Sequence, residues 1–456
     1  MTTTITTTRL PKSQKSHRLH PRLLLRLTTT ARATTELSRA LRAAAVAAPV
    51  YLLASVIPPG GLFRERRFRD VGLYGDYAQS LLDGRVPYRD FFVEYPPGGF
   101  LVFTPPALLP DGWYQHAFKV LMAVVGLATL VVVGLILARL GASTRRLYAG
   151  VLAVAAAPLV IGPVSLNTYD AFPALLVACS LAALLWRRDS LALALLGVAF
   201  AAKLYAAALV PLFAVWLWRT GRPPARPLAA FVIAVLILVG PFALLGWDGL
   251  VESVRAQAGR GLQIESLGAA VLLAAHRLGI YDAEVVRGST AALTRDLGGA
   301  LPDALAFATS VAQVAAVALA LLLFLRARSS GERLTVATAA TLAGFLVFAR
   351  FISPQYLVWL VPIVPLVGGV AGVVATVLLG AALLAGRLWF FDYSEVFALE
   401  GVVWLVVVRD LLLVALYAVL LRTMIPSSSK TLDQELERSS SARGTAVVEG
   451  SERLSR

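Results

Sequence analysis

Carboxylates and tyrosines gather in the segment that follows the first apolar run of this sequence. Asp70 lies four residues before Tyr74, Asp76 follows closely, and Glu94 precedes Tyr95 in a run that ends in two prolines and a glycine. An ionised carboxylate can take the proton of an attacking hydroxyl, so the segment is a candidate for general base catalysis. The same residues have a structural interpretation, because aspartate is favoured at helix N-caps and proline suits a first helical turn.

The chain that must position these residues has the composition of a membrane protein. Of its 456 residues 58% are hydrophobic and 15% are charged. Most of the charge lies in short clusters between apolar stretches of roughly 15–25 residues, which is the length that crosses a bilayer core. In lipid only helices or closed barrels satisfy the backbone, and these runs are too long for barrel strands. The sequence therefore predicts an all-α, polytopic integral membrane protein.

Arginine clusters predict how the chain is threaded through the membrane. They lie in the first forty residues and at 139–146, 187–188, 219–226 and 326–333, between apolar runs. Basic clusters in short loops mark the cytoplasmic side. The positive charge thus follows membrane topology, which argues against nucleic acid as a partner. We expect a multi-pass protein of the plasma membrane with both termini in the cytoplasm.

The apolar runs divide the chain into a membrane domain and two tails. Residues 1–41 and 424–456 are predicted to be disordered cytoplasmic tails, and residues 42–423 to form about 11–13 transmembrane helices. The hydrophilic stretch 59–112 is the predicted first outer loop. The stretch 190–218 lies between two arginine clusters but is too long for one helix, so we expect two short helices with Lys203 near their turn.

Helical periodicity appears inside the first outer loop. Leu73, Tyr77 and Leu81 recur at helical spacing, with polar residues on the opposite side. This pattern predicts a short amphipathic helix in the plane of the membrane interface, closed by Gly84. Asp70 then lies at or near the N-cap of this helix.

Taken in order, the motifs resemble glycosyltransferase family 87, whose members are membrane enzymes of the GT-C superfamily. The first outer loop has the patterns D-x-x-x-Y, G-x-x-P-Y-R-D-F and E-Y-P-P-G directly after the first span. Further matches are Asn167-Thr168-Tyr169-Asp170, Lys203-Leu204-Tyr205, the run from Arg260 to Ser266 and Ser353-Pro354-Gln355-Tyr356. The resemblance extends from about residue 43 to 422 and implies a GT-C-like helical bundle.

The resemblance also implies a reaction and a base. Such an enzyme takes a sugar from a polyprenyl-phosphate donor, in the first place a hexose, mannose, with the pentose arabinose as the alternative. It passes the sugar, with inversion, to a hydroxyl of a glycolipid or cell-envelope glycan on the outer face. An aspartate of the first outer loop is the general base in this family, and Asp70 has the matching position, with Asp76 in reserve.

A lipid phosphate that leaves during the reaction needs cations near it. Lys203, Arg260 and Arg350 are the candidates, and Arg350 is notable because it ends a span on the predicted outer side, against the usual charge bias. Each has an alternative role: Arg350 can extend toward lipid headgroups, and Lys203 can neutralise an embedded carboxylate such as Asp170.

The other polar residues of these motifs are candidates for donor or acceptor binding. They are Tyr74, Glu94, Tyr95, Asn167, Asp170, Gln263, Glu265 and Gln355. The last three can bind sugar hydroxyls, although loop capping explains each of them nearly as well. The histidines are scattered and no closely spaced acidic pair occurs in the first loop, so we expect neither a metal nor another cofactor.

Two other classes of function share some of these features. A transporter or flippase of lipid-linked sugars also uses broken helices and charges at membrane depth. It is disfavoured because the sequence has no internal repeat and carries an acidic, aromatic outer loop. A non-catalytic membrane subunit is disfavoured because it needs no outer carboxylates beside outer arginines.

Overall fold

The computed structural model describes residues 21–56, 70–110, 112–288, 294–326, 328–391, 396 and 398–425. Residues 1–20 and 426–456, which belong to the tails predicted at 1–41 and 424–456, lie outside the described residues, as does the stretch 57–69 that precedes Asp70.

Helices make up most of the described chain. The α-helices are α1 Pro21–Val56, α2 Asp70–Leu82, α3 Phe100–Ala107, α4 Tyr114–Arg139, α5 Thr144–Ile161, α6 Val164–Asn167, α7 Ala171–Leu185, α8 Asp189–Ala202, α9 Val210–Arg219, α10 Ala225–Leu245, α11 Trp247–Ala258, α12 Leu267–Arg277, α13 Ala300–Leu325, α14 Gly331–Val347, α15 Gly369–Phe391 and α16 Val403–Met424. Short 3₁₀ helices lie at Pro97–Gly99, Leu204–Leu209, Pro354–Leu360 and Val364–Leu366.

A small antiparallel sheet lies between α11 and α13. Its strands are β1 Leu262–Gln263, β2 Glu284–Arg287 and β3 Arg295–Gly298, in the order β1-β3-β2. Leu262 and Val285 both pair with Leu297. The sequence does not predict this sheet, because strands of two to four residues are too short to show alternation. The all-α fold class is otherwise confirmed.

Seven helices of the described chain are long and apolar enough to cross a membrane. They are Ala33–Val56, Tyr114–Arg139, Thr144–Ile161, Ala225–Leu245, Ala300–Leu325, Gly369–Phe390 and Val403–Met424. Five shorter apolar segments lie at Ala171–Leu185, Asp189–Ala202, Leu204–Arg219, Leu267–Arg277 and Pro354–Leu366. Apolar side chains on α10 and α13 point away from the protein: Ile237 is 66% exposed and Val314 is 71% exposed. Such surfaces suit contact with lipid, so the polytopic membrane architecture is confirmed.

The first helix begins earlier than the sequence predicts. Helix α1 starts at Pro21, so the expected disorder of residues 1–41 is wrong for residues 21–41. Glu36 is buried, with its Oε1 3.4 Å from Nη1 of Arg139, and Arg39 donates a hydrogen bond to the carbonyl of Ala142 at 2.5 Å. The charged residues that give this stretch the composition of a solvated tail therefore bind the α4–α5 turn. These contacts hold this part of the chain in a helix.

Two breaks in the helices differ in how far the sequence predicts them. Helix α8 ends at Ala202, Lys203 is extended, and a 3₁₀ turn leads into α9, which confirms the predicted break. The apolar stretch 354–366 is long enough for a regular helix but instead forms two short 3₁₀ helices. Prolines at 362 and 365 explain this difference, because each removes a backbone donor that a continuing α-helix needs.

Candidate active site

Helix α2 turns Asp70 toward the protein and Asp76 away from it. The helix begins at Asp70, and its buried face includes Tyr74 and Tyr77. Gly84 follows its last turn with a φ of +83°, as the predicted closure requires. Asp70 is half-buried, whereas Asp76 is exposed. Of the two candidate bases, only Asp70 faces the other polar residues of the first outer loop.

Burial and neighbouring carboxylates make Asp70 a stronger base than an ordinary aspartate. Burial, together with the charges of Asp170 and Glu94, raises its pKa to about 6, although the nearby charge of Lys203 opposes them. A carboxyl group with this pKa is still mostly ionised at neutral pH and accepts a proton more readily than one in water.

Asp170 and Lys203 form a buried ion pair whose charges are close enough to act on Asp70. Nζ of Lys203 lies 3.0 Å from Oδ1 of Asp170, and both side chains are almost fully buried. The indole Nε1 of Trp359 donates a hydrogen bond to the same oxygen at 2.8 Å. The helix break at Lys203 brings the ammonium group to this place. Lys203 was expected either to bind the phosphate or to neutralise an embedded carboxylate. The structure shows it paired with a buried carboxylate.

Aromatic rings surround the ammonium group of Lys203. Nζ lies 4.7 Å from the ring centre of Tyr169, 5.1 Å from that of Tyr356, 5.5 Å from that of Tyr95 and 5.9 Å from that of Trp359. Ring faces attract a cation most strongly where water is excluded. We call Lys203, Asp170 and these four rings the lysine cage.

Trp359 is the member of the cage that the motifs do not single out. It stacks on Tyr356 with ring centres 4.6 Å apart. A 3₁₀ helix places residues three apart on the same side, so Tyr356 and Trp359 both reach Lys203. The spacing of two aromatic residues was the available signal, but it also fits an ordinary buried helix face.

A second ion pair joins the first outer loop to the segment after α11. Arg260 donates from Nη2 to Oε1 of Glu94, and both side chains are buried. Gln257 donates to the Glu94 carbonyl at 3.2 Å, and the guanidinium group of Arg260 lies 4.9 Å from the ring centre of Phe351. Arg260 therefore holds the loop that carries Tyr95.

Tyr74 lies in the aromatic core between α2 and the lysine cage. Its ring stacks on Phe103 at 4.4 Å and meets the edges of Tyr95 at 5.4 Å and Tyr169 at 5.5 Å. Burial raises the pKa of the Tyr74 phenol well above its usual range. Tyr74 therefore stays protonated and supports the cage by packing.

Other predicted binding residues make their contacts outside the lysine cage. Asn167 donates to the carbonyl of Pro163 at 2.8 Å and lines a cavity. Arg350 donates to the carbonyl of Ala258, and its own carbonyl accepts from the backbone of Gln263 at 3.0 Å.

Gln355 and Glu265 also have partners within the protein. The Oε1 atom of Gln355 accepts a hydrogen bond from Ser353 at 3.0 Å. Glu265 is buried against α16, where Arg409 donates to its carbonyl and lies 3.9 Å from its Oε2. Arg409 also donates to Asp410 at 2.9 Å. The motifs miss this pair, although an Arg-Asp dipeptide inside an apolar run is itself a signal of function or structural pairing.

Two acidic residues near the site, Glu94 and Asp170, are paired with cations. Among the residues that the structure describes, no group of three histidine, cysteine or acidic side chains could hold a metal ion. Glu94 and Asp170 are instead bound by Arg260 and Lys203. The described geometry supports proton transfer and charge stabilisation by side chains.

The family model for glycosyltransferase family 87 matches residues 92–354, which is more than half of the chain. The chain belongs to glycosyltransferase family 87. The resemblance seen in the motifs is thereby confirmed, and the protein is a membrane glycosyltransferase. Glu94, Asp170, Lys203 and Arg260 lie inside the matched range, whereas Asp70 precedes it.

This family 87 chain is similar in structure to ArnT from Cupriavidus metallidurans bound to undecaprenyl phosphate. The two sequences are 16% identical. The alignment covers 84% of this chain and 76% of that one, with a TM-score of 0.46. Among curated proteins no match is found.

Gly98 of the E-Y-P-P-G motif permits a close contact that brings the first outer loop to Lys203. A Cβ atom at this position would lie 2.5 Å from the backbone of Ala201 at the end of α8. We expect Gly98→Ala to lower the free energy of unfolding by about 1–3 kcal/mol, because backbone atoms cannot easily move aside. Thermal unfolding in detergent measures this change.

Gly72→Ala is the matched control for this substitution. A Cβ atom at Gly72 meets nothing within 4 Å, and alanine is favoured over glycine within a helix such as α2. We expect this variant to be at least as stable as the wild type. Equal stability of both alanine variants contradicts a tight contact at Gly98.

Proposed function

We propose that this glycosyltransferase moves a hexose, with mannose as the first candidate, from a polyprenyl-phosphate donor to a hydroxyl of a glycolipid or cell-envelope glycan. The observation that carries the proposal is the half-buried Asp70 carboxyl group beside the Lys203–Asp170 pair. A base and a cation at one place are the two groups that such a transfer needs. Membership of family 87 supports the donor class.

The proposed reaction is a direct displacement at the anomeric carbon of the sugar. Asp70 accepts the proton of the acceptor hydroxyl while the hydroxyl oxygen forms a bond to the anomeric carbon. The bond between the carbon and the phosphate oxygen of the lipid breaks at the same time, and the lipid phosphate leaves with the electron pair. Attack from the side opposite the phosphate inverts the anomeric configuration.

Lys203 supplies positive charge for the leaving phosphate in this proposal. Its ammonium group carries three N–H donors, of which Asp170 Oδ1 takes one. The remaining donors are available to phosphate oxygens, while the rings of the cage limit the access of water. Asp170 and Trp359 thus act as positioning residues for Lys203.

The distribution of charge supports a site on the outer face of the membrane. The arginine-rich turns α4–α5 and α13–α14 lie together, since Nη1 of Arg146 is 2.6 Å from Oε1 of Glu332. Helix α2 follows the C-terminal end of α1, which is the end away from the α4–α5 turn, and it precedes α4. With the basic turns in the cytoplasm, Asp70 lies on the outer side.

Transfer is expected to depend on pH through Asp70. The base works only when ionised, and its pKa is raised to about 6, so activity is present above this pH and falls as the pH decreases through it. Initial rates of transfer between about pH 5 and 8 test this dependence. A flat profile over this range contradicts the assignment of Asp70 as the base.

A panel of donors tests the proposed substrate class. Purified protein in detergent is given synthetic polyprenyl-phosphate mannose, the arabinose and glucose analogues, and a nucleotide-linked mannose, each with a glycolipid acceptor. We expect transfer from a lipid-phosphate sugar and none from the nucleotide sugar. Transfer from the nucleotide sugar alone overturns the proposed donor.

A further inference from the structure

Tyr88 in the loop after α2 has an unusual backbone conformation. Its φ is +67°, in a region that residues with a side chain rarely adopt. The residue is 4% exposed, and its backbone N–H donates a hydrogen bond to the carbonyl of Phe91 at 3.0 Å. A strained conformation persists only where the surrounding structure holds it, and such conformations cluster at functional sites. Tyr88 belongs to the G-x-x-P-Y-R-D-F motif, which has no role in the reaction proposed above.

Two sets of contacts hold the loop that carries Tyr88. Within the loop, the carboxylate of Asp90 accepts a hydrogen bond from the backbone N–H of Val86 at 2.7 Å. On the other side, the first turn of α11 packs directly on the loop. A Cβ atom at Gly249 would lie 1.7 Å from the carbonyl oxygen of Tyr88, so only a glycine allows this approach. The conformation of Tyr88 is therefore fixed both by its own loop and by α11.

The hydroxyl group of Tyr88 reaches the backbone of Tyr95. It donates a hydrogen bond to the carbonyl of Tyr95 at 2.6 Å. Burial raises the pKa of the Tyr88 phenol above its usual range, so the group stays protonated and remains a donor. Pro96 and Pro97 follow Tyr95 directly and have no backbone N–H. Because these two residues cannot anchor the segment through backbone donors, the bond from Tyr88 carries more of that task.

Tyr95 lies close to both groups that the proposed reaction uses. Its ring centre is 5.5 Å from Nζ of Lys203. Burial and then the negative charge of Asp70 raise the pKa of the Tyr95 phenol well above its usual range, so the carboxylate lies near this phenol. The ring also meets those of Tyr74 and Tyr169 edge to face, each with ring centres 5.4 Å apart. A shift of the Tyr95 backbone therefore moves a ring that borders both the base and the cation.

We propose that Tyr88 is a positioning residue for sugar transfer: its hydroxyl group holds the backbone of Tyr95 and thereby keeps the Tyr95 ring against Lys203 and beside Asp70. The inference rests on the proposed function, because that function assigns the base and the cation to the reaction. A small displacement of reacting groups lowers the rate of the chemical step more than it lowers substrate binding. The loss of the Tyr88 hydroxyl group is therefore expected to act on kcat rather than on KM.

Tyr88→Phe removes the hydroxyl group but keeps the ring and its edge contact with Phe242. With a polyprenyl-phosphate sugar as donor, we expect kcat to fall about tenfold and KM to stay within about twofold of the wild type. Tyr417→Phe is the matched control, because Tyr417 donates a similar hydrogen bond to the carbonyl of Ala316 at 2.7 Å. We expect this control to keep the kcat of the wild type, and thermal unfolding in detergent compares the stability of the variants. An unchanged kcat in Tyr88→Phe overturns the inference.

A double variant tests whether Tyr88 acts through Tyr95. Tyr95→Leu removes the ring that Tyr88 is proposed to hold. In this background we expect the further change Tyr88→Phe to leave kcat unchanged, since two changes that act through one group are not additive. If Tyr88 only stabilises the fold, the two losses of kcat multiply, and this outcome overturns the inference.

Hydrogen–deuterium exchange of the full chain gives a second measurement that needs no turnover. We expect the backbone amides of residues 92–95 to exchange faster in Tyr88→Phe than in the wild type, because the segment opens more often once its anchor is lost. In Tyr417→Phe these amides are expected to exchange as in the wild type. Unchanged exchange in Tyr88→Phe overturns the inference. If exchange is faster but the wild type transfers no sugar, the proposed function fails while the hold of Tyr88 on Tyr95 is supported.

Discussion

Asp70→Asn is expected to lower the rate of sugar transfer by about 10²–10⁴-fold, the usual contribution of a general base. Asparagine keeps the shape of the side chain but cannot accept a proton, so the acceptor oxygen remains a weak nucleophile. Because Asp70 is half-buried and its pKa is raised, the neutral side chain should not destabilise the protein. Initial rates with the preferred lipid-phosphate donor measure the effect, and thermal unfolding shows that the variant is folded.

Asp76→Asn is the control for this prediction. Asp76 lies on the same helix, but its side chain is exposed on the opposite face. We expect its rate to stay within about twofold of the wild type, as for most exposed substitutions. If Asp76→Asn loses activity and Asp70→Asn keeps it, the base is Asp76.

Lys203→Met is expected to lower the free energy of unfolding by about 3–5 kcal/mol, because it leaves Asp170 buried without its cation. The 3.0 Å ion pair and the lack of exposure of Asp170 make this one of the costliest single changes at the site. Methionine keeps most of the side-chain volume, so the loss reports charge rather than packing. Denaturation of the purified protein in detergent, followed by tryptophan fluorescence, measures it.

The double variant Lys203→Met with Asp170→Asn separates stability from catalysis. Removal of both charges leaves no uncompensated ion, so we expect part of the stability to return. Transfer is expected to stay low, because the cation for the leaving phosphate is still missing. A stable Lys203→Met single variant with full activity contradicts both roles of Lys203.

Local patterns explain which parts of the site could be predicted from the sequence. The helical spacing of Leu73, Tyr77 and Leu81 predicts α2, and Gly84 ends it with the positive φ that glycine favours. The basic clusters on both sides of the stretch 190–218 predict the break at Lys203. In each case the signal lies within a few turns of the element itself.

Partners far apart in the chain could not be predicted in this way. Glu94 and Arg260 are 166 residues apart, and Asp170 and Trp359 are 189 residues apart. No spacing rule relates such positions, since the packing of the helices decides which side chains meet. The sequence could therefore name Glu94 and Arg260 as candidates but could not pair them.

The first helix shows the opposite error, in which composition misleads. Threonines and arginines before residue 42 resemble a disordered tail, yet α1 is helical from Pro21 onward. Glu36 and Arg39 bind residues near the α4–α5 turn, and these tertiary contacts outweigh the local signal. For Arg409 and Asp410 the signal was present, because two charges inside an apolar run are costly unless they are paired.

Sugar transfer in sealed proteoliposomes tests the central claim most directly. Purified protein is reconstituted with polyprenyl-phosphate mannose that carries a label on the sugar, together with a glycolipid acceptor. We predict that the wild type moves the label to the acceptor and that Asp70→Asn does not. Movement of the labelled lipid across the bilayer by both proteins, with no label on any acceptor, contradicts the account and indicates a transporter of lipid-linked sugars.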